Sequence, residues 1–493
     1  MVFIKHNDYL GVRIEILLPL FGLTLIGVVG GCLSAISLKY VRYVLVSVMA
    51  AVFVDFQFDL GLWGPSTTFI ATFLILVIMG ANAVMMGNAI ILTIVTLTVI
   101  IPNDPIETDA PDAAIVASNP ELPPILHIIL DEHIGIAGMS EATPSQRDVK
   151  RRVMDFYRGN GFHVYRRAYS QYVNSDDSVS NMLNYETKDI RHAHFEEVNE
   201  PRILKQNRYF DRLRARGYQI KIFQNDYLDV CGSGRSSDAA SCFTTYNWSR
   251  FPGLKHAPLP RTEKAWLITT FYLQLSGLYR KIRTIYQRLH RAVGLSFLPR
   301  WNWDVGGVGS LVIPQTADII ARDLSQNPGG FDYFVHFFMP HAPFVMDRDC
   351  QVKPAKAWRR GYNEQILCSL RILDKFVQAL KSARSFQKAV IIVHGDHGYR
   401  INLGNTNGAN VTQLTSTELI STFSTLWAIK VADGRGFVDD RIRSVQKMLP
   451  RFEKCRFALC DDNPDDEEVI LQIPNGWTGS KMKTMSVDLF RER

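Results

Sequence analysis

The chain has 493 residues, of which 47% are hydrophobic and 21% charged, with a formal net charge of +7. Its mean hydropathy of −0.02 averages two unlike parts. The first hundred or so residues are strongly apolar and the remainder has the composition of a folded aqueous domain, which excludes a uniformly soluble chain.

Four apolar segments lie near 16–37, 43–54, 67–84 and 86–102. Most approach the ~20 residues needed to cross a bilayer, and counts of three or five spans also fit. They repeat instead of stopping after one, so a cleavable signal peptide does not fit. Lys39 and Arg42 sit between the first two segments and Asp55 and Asp59 between the second and third. The positive-inside rule then puts the first loop in the cytoplasm and both chain ends outside, with Lys5 and Arg13 counting against. The expected layout is a transmembrane region over 1–102, a Pro-, Asp- and Ala-rich linker over 103–124, and an extracytoplasmic domain over 125–493.

That last region is long enough to bury a large core. Ile125 to Leu130 reads as a fully buried strand with Asp131, Glu132 and His133 at its end. Helical spacing over 146–161 precedes a short strand at 163–165. Ser170 to Asn184 reads as a loop entering a helix, with Ser175 to Asp177 as capping side chains. A helix over 208–216, a strand over 218–223 and a loop over 232–240 follow. Lys255 to Arg291 interleaves basic residues with Trp266, Tyr272, Tyr279 and Tyr286. On a tethered domain, a helix on anionic lipid or a helical insertion with a solvated basic face is simpler than a nucleic-acid site, so no nucleic acid is expected.

Helical residues at 319–324 lead to a strand over 331–338 that runs into Met339-Pro340-His341-Ala342-Pro343-Phe344. A periodic helix over 364–382 leads to the apolar strand Val390 to Val393, which ends in Gly395-Asp396-His397-Gly398. A strand over 421–430 and an acidic surface stretch over 461–468 complete the pass. Alternating helices and buried strands predict a layered α/β domain with a mostly parallel sheet. Ligands in such sheets bind at the carboxyl edge, where these loops emerge.

Six of the seven cysteines fall in the latter part. An even set with close pairs predicts disulfides, 231–242, 350–368 and 455–460, in an oxidising compartment. Zinc-finger spacing is lacking. Asp131, Ser175, His341, Asp396 and His397 make one chemical set. Carboxylate and imidazole suit zinc or manganese, and a hydroxyl at a helix N-terminus beside such an ion is a nucleophile.

Leu-Asp-Glu-His at 130–133, the Ser175 and Ser178 loop, Pro-His-Ala-Pro-Phe at 340–344 and Asp-His-Gly at 396–398 together resemble the alkaline phosphatase/sulfatase superfamily. They are most similar to its membrane-anchored, sulfatase-like branch of phosphoglycerol and phosphoethanolamine transferases and lipoteichoic acid synthases. The resemblance covers about residues 125–430. It implies an alkaline-phosphatase-like α/β fold and one divalent metal ion, Zn or Mn, on Asp131, Ser175, Asp396 and His397. It also implies a nucleophilic Ser175 and a phosphate-contacting His341.

Ser175 stands where the transferase branch has Thr, leaving Ser178 and Ser170 as substitutes. No Cys-x-Pro-x-Arg or Ser-x-Pro-x-Arg motif surrounds it, which argues against a formylglycine sulfatase. The implied function is metal-dependent transfer of a phospho-head group from a membrane lipid donor to a glycan or lipid acceptor, from a multi-pass protein of the bacterial inner membrane. A membrane-anchored phosphodiesterase or sulfatase-type hydrolase is the alternative, and an inactive glycan- or lipid-binding protein a third.

Overall fold

The computed structural model describes residues 121–195, 202–244 apart from 226 and 232–238, 309–352 apart from 328 and 343, 361–399, 414–459 apart from 433 and 435, 465–474 and 481–486, together with 64–79 and scattered positions at 14–48, at 119 and at 259–268. The chain divides into two compact units, one of residues 1–107 and 247–308, the other of 108–246 and 309–493.

In the first unit, α1 (Gly64–Met79) carries no charged residue, and Ile70, Leu74 and Ile78 are exposed on it. Among the described residues no helix is long and apolar enough to cross a membrane. Most of the other predicted spans, and most of the basic segment 255–291, lie outside the described residues.

The second unit is built on β1 (Ile125–Leu130), β2 (His163–Tyr169), β3 (Arg202–Ile203), β4 (Gln219–Gln224), β5 (Leu228–Asp229), β6 (Ser241–Thr244), β7 (Phe331–Phe337), β8 (Val390–Gly395), β9 (Trp427–Lys430), β10 (Val438–Ser444), β11 (Ile470–Pro474) and β12 (Met482–Ser486). Among the described residues eight of these form one sheet, in the order β10-β2-β9-β8-β1-β7-β4-β6. β9 runs antiparallel to both its neighbours and the other pairings are parallel. The mixed α/β, mostly parallel architecture is therefore the one the alternation of elements predicts. β3 with β5 and β11 with β12 make two small separate sheets.

Helices cover both faces. α3 (Ser175–Asn184), α4 (Arg208–Ala215) and α8 (Val445–Lys454) bury Val179, Met182, Phe210, Leu213 and Leu449 against Ile129, Phe334 and Ile392. On the opposite face Phe337 meets Phe376 of α6 (Tyr362–Ser382), which packs with α2 (Pro144–Gly159) and α5 (Ile313–Gln326). Burial from both sides is why β1, β7 and β8 read as unbroken apolar runs. Each fully buried Ile or Leu contributes about 1.5–3 kcal/mol.

Four details differ from the sequence reading. Residues 421–430 are not one strand, because α7 (Ser416–Phe423) precedes β9 and is started by a capping box between Thr415 and Glu418. The acidic stretch is not all surface. Glu467 is buried, accepts from the Ser444 amide at 3.1 Å and pairs with Arg451 at 2.5 Å. The strand at 163–165 extends to Tyr169, and the N-cap of α3 is Asn174, so Ser175 is not a capping residue.

Cys231–Cys242 and Cys350–Cys368 are bonded as predicted. Cys455 is disulfide-bonded too, while Cys460 lies outside the described residues.

Candidate active site

β1 and β8 pair in register, with Leu130 opposite Gly395, so the residues after each strand leave the same edge of the sheet. Asp131 and Asp396 are thereby neighbours. The Glu132 amide donates to Asp396 Oδ1 at 2.8 Å, and the His397 amide donates to the same oxygen at 2.9 Å. Glu132 takes a left-handed backbone (φ 60°), held on its far side by Tyr362, whose hydroxyl donates to the Glu132 carbonyl at 2.6 Å. Glycine is demanded at 398, where a Cβ would stand 2.1 Å from the Ser421 carbonyl oxygen.

These anchors leave particular atoms bare. His397 Nδ1 donates to the Gly398 carbonyl at 2.8 Å and leaves Nε2 3.3 Å from Asp396 Oδ2. That Nε2, Asp396 Oδ2 and Asp131 Oδ1 are buried without a hydrogen-bond partner. Asp131, Asp396 and His397 each offer a ligand atom, all within 4.8 Å of one another. Buried carboxylate oxygens and an imidazole nitrogen left unsatisfied carry a desolvation cost that a divalent cation would remove. Two oxygens and one nitrogen suit Zn or Mn, so these residues fit the implied ion.

Ser175 enters from α3. As the first residue of that helix it lies at the positive end of the helix dipole, and its Oγ donates to Asp131 Oδ2 at 3.3 Å. Ser178 and Ser170 are engaged elsewhere. Ser178 Oγ donates to the Asp396 carbonyl at 2.5 Å and accepts from Gln446 Nε2 at 2.9 Å, with Ser170 Oγ 3.2 Å away. Of the three serines, only Ser175 points its hydroxyl at the clustered carboxylates.

His341 stands at the rim. Its side chain is 25% exposed, its Nδ1 donates to the Ala342 carbonyl at 2.5 Å, and its Nε2 is 3.8 Å from Glu132 Oε1. The structure thus brings Asp131, Ser175, Asp396 and His397 together and sets His341 beside Glu132. Arg400, which reads from sequence equally as a phosphate clamp or a solvated arginine, lies outside the described residues.

His336, which reads from sequence as a structural strand residue, points its buried Nε2 at Asp131 Oδ2 across 3.5 Å. Its position one residue from the end of β7 is the only signal that could have marked it. Burial works to raise the Asp131 pKa. The imidazoles of His341, His336 and His397 outweigh that and hold the carboxyl below its ordinary range.

A second acidic group, Asp176 and Asp177 with His192, lies just along α3. It differs in kind because guanidinium groups already meet it. Arg202 stands 2.8 Å from Asp176 Oδ2, with the His192 ring at the same distance, and Arg191 is 3.8 Å from Asp177 Oδ2. Burial, then the adjacent Asp176 charge, pushes the Asp177 pKa up to about 8.

No family model matches the sequence, and no curated protein matches it. Solved structures do. The zinc complex of the periplasmic domain of EptC from Escherichia coli is 9% identical, over 74% of this chain and 94% of that one, with a TM-score of 0.41. Phosphonate monoester hydrolase of Agrobacterium radiobacter is 13% identical over 71% and 80%, with a TM-score of 0.42. A protein of the alkaline phosphatase superfamily from Vibrio parahaemolyticus is 13% identical over 74% and 83%, with a TM-score of 0.40. Likeness at this level leaves the chemistry to be argued from the chain's own residues.

Proposed function

We propose that the chain transfers a phosphate-bearing head group from a membrane lipid to a hydroxyl of a glycan or another lipid, through a phosphoserine at Ser175. The coarser part of this reading, ester chemistry at phosphorus or sulfur, is supported by one observation. Three bare buried ligand atoms converge beside a serine hydroxyl at a helix N-terminus.

A Zn or Mn ion held by Asp131, Asp396 and His397 would supply Lewis-acid stabilisation of the charge on the phosphoryl oxygens. Ser175 Oγ is the attacking atom, oriented by its hydrogen bond to Asp131 Oδ2 at 3.3 Å, and its proton passes to solvent water as the Oγ–P bond forms. As the lipid P–O bond breaks, His341 Nε2, 3.8 Å from Glu132 Oε1, delivers a proton to the departing alcohol. The N-terminal dipole of α3 favours negative charge at residue 175 in both steps. In the second step an acceptor hydroxyl attacks phosphorus, the Oγ–P bond breaks, and Ser175 recovers a proton. The apolar N-terminal segments support a lipid donor, since tethering raises the local concentration of lipid at the site. The disulfides support an extracytoplasmic setting for the catalytic unit.

The full-length protein, incubated with head-group-labelled phosphatidylglycerol or phosphatidylethanolamine, should carry label on the tryptic peptide containing Ser175. Label should then move to an added glycan or lipid acceptor. A Ser175→Ala protein turning over lipid at the wild-type rate would refute the role of Ser175. Free head group released with no modified acceptor would make the enzyme a hydrolase.

A further inference from the structure

The first turn of α6 reaches two of the loops at the candidate active site. Tyr362 and Gln365, three positions apart, share a face of that helix. The Tyr362 hydroxyl donates to the Glu132 carbonyl at 2.6 Å and accepts from the Ile134 amide at 2.9 Å, which fixes the loop leaving β1. Gln365 is fully buried and fixes the segment leaving β7. Its Oε1 accepts from the amides of Val345 and Met346 at 2.9 and 3.2 Å, and its Nε2 donates to the His341 carbonyl at 3.1 Å.

The ordinary role of a buried glutamine is to satisfy backbone that lies outside helices and strands. The placing of these three bonds argues for more. The other contacts that grip the His341 ring come from its own segment. Phe338 packs on it with 4.0 Å between ring centroids, and Nδ1 donates to the Ala342 carbonyl. Both partners would travel with the ring if the segment shifted. Gln365 instead ties the segment to the helical turn that also ties Glu132, and His341 Nε2 stands 3.8 Å from Glu132 Oε1. The imidazole is thereby referred to the loop that carries Asp131. Farther along the segment, Arg348 pairs with Glu364 and Cys350 is bonded to Cys368. Loss of Gln365 therefore leaves the segment docked on α6 and displaces chiefly its His341 end.

Given the roles read above for Ser175 and His341, we propose that Gln365 is a positioning residue for the transfer reaction. It sets His341 Nε2 where its proton reaches the alcohol oxygen as the lipid P–O bond breaks. An apolar side chain of the same size would fill the space but leave two amides and a carbonyl unpaired, and the segment would move to find new partners.

The test uses the full-length protein in nanodiscs supplied with manganese, and two esters of one phosphoglycerol group. Phosphatidylglycerol releases an alcohol that needs a proton, whereas p-nitrophenyl phosphoglycerol releases a phenolate that does not. Gln365→Met should lower kcat for phosphatidylglycerol by about a hundredfold with KM little changed, the loss expected of a misplaced acid. Turnover of the p-nitrophenyl ester should stay near that of the wild type, which also reports a folded variant. His341→Ala should show the same selectivity, and Gln365→Met added to it should cost nothing further. Gln365→Glu keeps both accepting oxygens and should show a smaller loss of the same selectivity, so it serves if the methionine variant does not fold. Equal losses on both esters, full activity on both, or a further loss in the double variant would overturn the role of Gln365 alone. A wild-type protein that turns over neither ester would instead remove the reading of Ser175 and His341, and the role of Gln365 with it.

Discussion

The Ser178 hydroxyl donates to the Asp396 carbonyl at 2.5 Å, tying the helix that begins at Ser175 to the loop that carries two of the three clustered ligand groups. The distance between the proposed nucleophile and the proposed metal-holding groups is therefore set by a buried side-chain contact, and Gln446 holds the same hydroxyl from the other side. Ser178→Ala should reduce turnover by about tenfold or more through misplacement of Ser175. It should cost about 1–3 kcal/mol of stability, because buried partners lose their hydrogen bond. Urea denaturation beside steady-state kinetics checks both. Wild-type kinetics in a destabilised protein would separate Ser178 from the site.

Chelation should abolish activity, and Zn or Mn should restore it. A cation that binds only the folded state stabilises it by about 2.7 kcal/mol at a hundredfold excess over its Kd. Thermal unfolding of the chelated protein should therefore shift upward on adding metal. Asp396→Asn and His397→Gln should erase that shift and the bound metal measured by elemental analysis.

His127 and His394 meet Nε2 to Nε2 at 2.8 Å in the core. Burial, then the neighbouring His394, keeps the His127 pKa well below 6.5. A depressed folded value means that the stability is present above the unfolded pKa of about 6.5 and is lost as pH falls below it. His127→Gln keeps a donor for His394 and removes one charge that acid must force into the core. Denaturant titrations from pH 7 to pH 4 should show a shallower loss in the variant.

Asp332 has the opposite sign. It is fully buried, with Tyr209 donating to Oδ1 at 3.3 Å, and burial raises its pKa well above the usual value. Its contribution is complete below the unfolded pKa of about 4 and is lost as pH rises through the folded value. Asp332→Asn should stabilise the protein at pH 8–9 relative to wild type and change little at pH 4. Equal pH dependence in the two proteins would count against a neutral Asp332.

The Cys350–Cys368 bridge spans 18 residues and ties the segment after His341 to α6. Opening it with Cys350→Ser should cost about 3 kcal/mol by loop-closure entropy. Thermal denaturation with and without reductant should show that loss in the wild type, and a further effect of reductant on the variant only through the other bridges.

The strands that carry the candidate site were the most legible part of the sequence. β1, β7 and β8 lie at the centre of the sheet, so covering by helices on both faces leaves an uninterrupted apolar run that local turn residues cut off. Ser421 to Lys430 was misread because apolar residues continue from α7 into β9, and hydrophobicity alone cannot mark that boundary. The Thr415 and Glu418 capping box does mark it. Glu467 looked like part of a solvated acidic run, and only Arg451 and the Ser444 amide, brought close by folding, make its burial tolerable. His336 reads from sequence only as a structural strand residue, and Tyr362 carries no sequence signal. Their importance lies in which backbone or carboxylate oxygen they approach across the sheet, and no spacing in the chain encodes that.

The pairing of β1 with β8 joins stretches far apart in the chain, as the contact between Glu132 and Asp396 across 264 positions shows. Contacts of such separation form late and slowly. A nascent chain halted on the ribosome before residue 396 would hold Ser175 and Asp131 but lack both groups of the Asp-His loop. The chemistry proposed for Ser175 would therefore wait until the chain had been made past His397.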